Sequence, residues 1–192
     1  IPLIMGTATA DYNMYVWPEK DMGGLINFFL NLHSFDPMRI SSFKDYIDNW
    51  LQGNFSAKLT PEVMARRLDK TADACEKALE EAEKNIAAPH KEFWATQKDF
   101  QILSGMARYF AHKIRATYHL GLFYGTSDYF TLKKAIAHAE KGLAVWKDLS
   151  KTAEEIYYPE LVMGPGSYGH WKDNLVFVED DLKQVQHQEE LF

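Results

Sequence analysis

The sequence predicts an all-α fold: an antiparallel four-helix bundle of long helices, preceded by two short N-terminal helices. Three observations lead there. Apolar residues recur at steps of three, four and seven over long stretches, which is the signature of one face of a 3.6-residue helix. Capping residues and prolines stand where such stretches begin and end. No segment alternates with period two convincingly enough for a sheet.

In order, residues 1–19 read as irregular: an apolar opening, Ile1–Met5, then TADYNMYVWPEKD with Tyr12, Tyr15 and Trp17 among smaller residues. These rings either lid one end of the bundle or form an aromatic platform for a flat ligand, since Tyr and Trp bury a ring while keeping a polar tip. Asp21–Leu32 reads as a short helix with Met22, Leu25, Ile26, Phe29 and Leu32 inward. Asp36-Pro37 marks a connection. Ser41 or Ser42 then caps a second short helix, with Phe43, Tyr46, Ile47, Trp50 and Leu51 expected inside and an end near Gly53.

Thr60-Pro61-Glu62 opens the first long helix, with a cap, a proline at the first helical position and an acid at the positive end of the dipole. It is expected to run over 61–87, burying Met64, Leu68, Ala72, Cys75, Leu79, Ala82 and Ile86. The densely charged opposite face reads as solvated. Pro89 separates it from a helix over 91–124. That element carries Phe93, Phe100, Leu103, Ala107, Phe110, Ile114 and Tyr118 on one face, with Lys113 and Arg115 outside the stripe. Its Phe93–Tyr124 stretch has no proline, and at about 1.5 Å per residue it spans roughly 45–50 Å. Gly105 and Gly121 each weaken it by about 1 kcal/mol against alanine. His112 and His119, seven apart, share one side of it.

Ser127 or Asp128 caps the next helix, 128–156, with Leu132, Ala135, Ile136, Ala139, Leu143, Trp146, Leu149 and Ala153 inward. Residues 157–170, YYPELVMGPGSYGH, read as a long loop, a length that is often functional in a compact domain. The last helix is expected over 171–188. The whole of 1–192 reads as one helical domain, with 1–58 packed on a bundle of 59–192. Its abrupt apolar start and missing initiator Met predict a piece of a larger protein.

A net charge of −6 with no Lys/Arg cluster argues against nucleic acid. No run of eighteen apolar residues exists, so no membrane-spanning helix is expected. The aromatic content of 14% is high and suits either a large core or an amphipathic ligand surface. Cys75 lies in a helical pattern and reads as an inert thiol.

No motif specifies a reaction. There is no Glu-x-x-His for a carboxylate-bridged metal pair in a bundle, no C-x-x-C, no H-E-x-x-H, no phosphate loop and no G-x-S-x-G elbow. No catalytic residue, metal site or cofactor is assigned. What remains is SYGHW at 167–171, where Tyr168, His170 and Trp171 either contact a ligand at a helix N-terminus or simply anchor and cap the last helix.

Four phrases, MRISSFKDYIDNWLQG (38–53), LTPEVMARRLDKTADACEKAL (59–79), DFQILSGMARYFAHKIRATYHL (99–120) and GHWKDNLVFVEDDL (169–182), resemble the helical region downstream of the catalytic barrel in large bacterial glycan-processing proteins of the alpha-glucuronidase-like and hexosaminidase-like kind. The resemblance implies an accessory, non-catalytic helical domain of a glycan-degrading or glycan-binding protein. It further implies a neighbouring domain of the parent chain as partner, carbohydrate as a possible ligand, and a periplasmic or extracellular location. Catalytic carboxylates would then lie on the barrel, so none is carried onto this chain. Two alternatives stand beside it: a helical protein–protein interaction module, and a small enzyme using His112, His119 or His170 as a base.

Overall fold

The computed structural model describes residues 29–31, 33–34, 36–88, 90–164 and 167–192. Tyr12, Tyr15, Trp17 and most of the short helix expected over Asp21–Leu32 lie outside the described residues; Phe29–Asn31 forms a 3-10 turn. The described chain is an all-α bundle of five α-helices: α1 (Phe43–Leu51), α2 (Pro61–Asn85), α3 (Lys91–Thr126), α4 (Tyr129–Glu154) and α5 (Leu175–Leu191). Short links join α2 to α3 and α3 to α4, so these neighbours run antiparallel.

The ends follow from local chemistry. Ser42 Oγ accepts from the Asp45 N–H at 3.0 Å, and Thr60 Oγ1 from the Val63 N–H at 3.3 Å with Pro61 in the first turn. His90 Nδ1 accepts from the Phe93 N–H at 3.3 Å. Asp128 caps α4 through the Phe130 N–H, while Ser127, at φ 53°, closes α3 in the left-handed conformation. Each of these side chains satisfies a backbone donor that the first turn leaves open.

α3 is the central post. It packs on α2, α4 and α1, and α4 in turn carries α5. From Met106 to Phe123 it is buried on nearly every side, so a single stripe understates it. The stripe instead fails at its N-terminal end, where Phe100 and Leu103 are exposed. The matching half of α2 is open too: beyond Ala72 none of its residues is buried. Here α2 and α3 lean only on one another, leaving a shallow apolar cavity of about 240 Å³ between Cys75, Leu79 and Phe100. Lys113, expected outside the stripe, is buried and paired with Asp181 of α5 at 3.0 Å.

Two glycines seat α1 on α3. A Cβ on Gly121 would lie 2.2 Å from Ile47 Cδ1, and one on Gly125 2.6 Å from Leu51 Cδ1. Spaced four apart, they form one groove, filled by two α1 residues also four apart. Read alone, Gly121 costs α3 helix propensity; in the fold it permits the crossing. Gly121→Leu is expected to lower stability by about 2 kcal/mol through overpacking, measured by urea unfolding, despite leucine's better propensity. An unchanged midpoint would show that α1 can move away freely.

The expected loop over 157–170 is instead a small β-hairpin. β1 (Leu161–Gly164) pairs antiparallel with β2 (Ser167–Gly169), Leu161 opposite Gly169 and Val162 opposite Tyr168. Strands of four and three residues are too short for a period-two pattern to register. A 3-10 turn at Trp171–Asn174 then leads into α5.

Candidate functional site

The largest polar-lined depression described is a cleft of about 470 Å³ between α1, the loop after it and the start of α2. Its walls carry Asn49 and Trp50 from α1, Asn54 and Phe55 from the loop, and Glu62 and Arg66 from α2. Trp50 is 52% exposed and Phe55 fully so. The sequence pattern placed Trp50 and Leu51 inside. In the structure, Phe43 and Ile47 take the buried face, and the glycine groove turns Trp50 outward. The loop reverses at Gly53, whose φ of 68° suits glycine, and the Asn54 N–H returns to the Asn49 carbonyl at 2.8 Å. Local signals for this site existed: an amide-rich turn, Gln52-Gly53-Asn54, bracketed by Trp50 and Phe55.

The cleft floor is a fixed ionic network. Glu62 Oε2 accepts from Tyr118 Oη at 2.9 Å and from Arg115 Nε at 3.2 Å. Arg115 also pairs with Asp69 at 2.8 Å. Burial, then the hydrogen bond to Glu62, pushes the Tyr118 phenol well up. Tyr46, edge-on to Tyr118 at 5.7 Å, is raised by burial and by the negative Glu62. Glu62 is thus committed as an acceptor. The lining offers one carboxylate, whereas glycoside hydrolysis ordinarily uses two flanking the scissile bond. Exposed rings beside amides and a guanidinium instead suit binding of an amphipathic, hydroxyl-rich ligand.

A second cluster lies between α3 and α4. His112 and His119 both meet His138: Nδ1 of His112 is 3.2 Å from Nδ1 of His138, and the His119 ring stacks on His138 at 5.8 Å and 5°. One ring of the close pair donates and the other accepts, so the pair is satisfied when neutral. Burial first, then neighbouring positive charge, lowers both His119 and His138 to about 4; His112 is lowered by burial too. Among the described residues, no group of three His, Cys, Asp or Glu side chains is placed to hold a metal ion.

Of the residues singled out at the last helix, Tyr168 is exposed, while His170 and Trp171 are enclosed. His170 Nδ1 accepts from the Lys172 N–H at 3.3 Å, and its own N–H donates to Asp173 at 2.7 Å, a reciprocal cap. The Trp171 carbonyl accepts from Trp146 Nε1 at 3.0 Å, and Tyr157 covers its ring at 5.3 Å. Both side chains anchor the hairpin to the bundle. Tyr12, Tyr15 and Trp17 cannot be placed against them.

No protein-family model matches the chain, and no curated protein matches it. Among solved structures, a GH138 enzyme targeting pectin rhamnogalacturonan II superposes on 98% of this chain with a TM-score of 0.70 and 15% identity. The bundle is shared with part of a glycoside hydrolase. At that identity the likeness is one of fold, and this chain spans 28% of that enzyme's length. The coarse part of the sequence resemblance, a helical domain within a glycan-processing protein, agrees with this neighbour.

Proposed function

We propose that this bundle is an accessory domain of a glycan-processing enzyme and that it contacts glycan through the cleft between α1 and α2. The observation that carries the reading is the match of nearly the whole chain to a minor part of a glycoside hydrolase. A domain of this kind packs on a neighbouring domain of its parent chain and shapes the edge of a substrate site without performing the chemistry. The cleft supports the binding role: its rings offer apolar faces, its amides and Arg66 offer donors, and its single carboxylate is already engaged. Tyr168, exposed on β2, extends the same proposal to the hairpin end of the bundle.

Calorimetric titration of the chain with uronic-acid and amino-sugar oligosaccharides tests it. Heat of binding that disappears in Trp50→Ala, with the melting temperature kept, is the expected result. No heat with any glycan, for this chain or for its parent protein, would discard the binding role.

A further inference from the structure

The charges of the cleft narrow the kind of sugar it takes. Arg66 is the one cation among its lining residues. Its side chain is 61% exposed, and its ion pair with Glu62 is long, 3.8 Å from Nε to Oε1. Glu62 does not depend on it: the other oxygen already holds the Tyr118 hydroxyl at 2.9 Å and Arg115 at 3.2 Å. The negative charge of Glu62 is therefore offset from inside the bundle, by a guanidinium only 13% exposed. Arg66 is left at the rim with a fork of N–H donors facing outward, beside the half-exposed ring of Trp50. A guanidinium fork matches a carboxylate in a bidentate manner, and a sugar hydroxyl makes a weaker, single contact.

We propose that the cleft selects an acidic sugar, with the pyranose ring against Trp50 and its carboxylate on Arg66. The inference rests on the glycan-binding reading above and adds the ligand's charge to it. Phe55, fully exposed on the loop, widens the apolar platform for a second sugar unit. The contact is solvent-accessible, so the acidic preference is moderate and weakens with salt.

The test uses the isotope-labelled full chain and two probes, tetragalacturonic acid and its methyl ester, followed by amide and indole NMR shifts. The acid is expected to bind about tenfold more tightly than the ester, the scale of one charge-assisted contact at a surface. Shifts are expected within residues 41–66. Arg66→Gln should bring the acid down to the ester's affinity and leave the ester unchanged, whereas Trp50→Ala should weaken both. Raising the salt should narrow the gap between probes in the parent chain and not in Arg66→Gln. Equal affinity for acid and ester in the parent chain overturns the acidic preference while leaving glycan binding in place. Binding of neither probe, or shifts confined to another face, overturns both. Melting curves of the two variants confirm that each is folded; both positions are exposed, and unchanged midpoints are expected.

Discussion

Asp181→Ala should unfold at markedly lower urea than the parent chain, by about 3–5 kcal/mol, the usual cost of removing one member of a buried ion pair. Lys113 Nζ and Asp181 Oδ2 are 3.0 Å apart with side chains 2% and 7% exposed, and Tyr109 Oη lies 3.4 Å from the same ammonium. Burial lowers the Lys113 pKa and the facing carboxylate opposes that shift. Removing the carboxylate leaves burial to act against the charge. A lysine depressed in the folded state costs most below its folded pKa. The variant should therefore regain stability as pH rises from about 8 toward the ordinary lysine value, where the parent should not. The double change Lys113→Met with Asp181→Leu should recover most of the loss, because apolar residues of similar volume replace a buried pair well. A loss under about 1 kcal/mol for Asp181→Ala would mean that the ammonium reaches water.

Acidification is expected to weaken the fold before ordinary carboxylates titrate. His119 and His138 sit at about 4 in the fold, against 6.5 in an unfolded chain. The unfolded state thus takes up protons first. Stability is complete above about pH 6.5 and falls as pH drops from there toward 4. The rings face positive groups from both helices, Arg108 and Arg115 on α3 and Lys134 and Lys141 on α4, with Glu62 and Asp69 of α2 opposing. Because the two rings are stacked and share a proton economy, the loss belongs to the cluster and is on the order of 3 kcal/mol. Exposed acids such as Glu154 and Glu189 are lowered by their lysine partners and respond only below this window. Urea midpoints at pH 7 and pH 4.8 measure the effect. His138→Gln, which removes the ring common to both contacts, should flatten the dependence. A parent chain equally stable at both values would show that water enters between α3 and α4.

Several features were legible locally. Thr60-Pro61, Ser42 and Asp128 act as caps, and the α4 stripe from Leu132 to Ala153 is inward, as the period requires. Even the anchoring role of Trp171 could be anticipated as one of two readings. The hairpin could not, because four residues pairing with three leave no pattern. Trp50 was misplaced for a related reason. The α1 period makes Phe43, Ile47, Trp50 and Leu51 equally eligible for burial, and only the groove at Gly121 and Gly125 decides which of them α3 receives.

The sequence by itself determined the helices and their ends, because a cap and a 3.6-residue stripe are written within a few residues of the atoms they satisfy. Tertiary structure alone decided the chemistry. Lys113 meets Asp181 across 68 residues, His138 joins two histidines of another helix, and Trp50 turns outward onto a cleft whose floor comes from α3. Each depends on which helix faces lie together and how closely. That is a property of packing between elements, and no single stretch of the chain carries it.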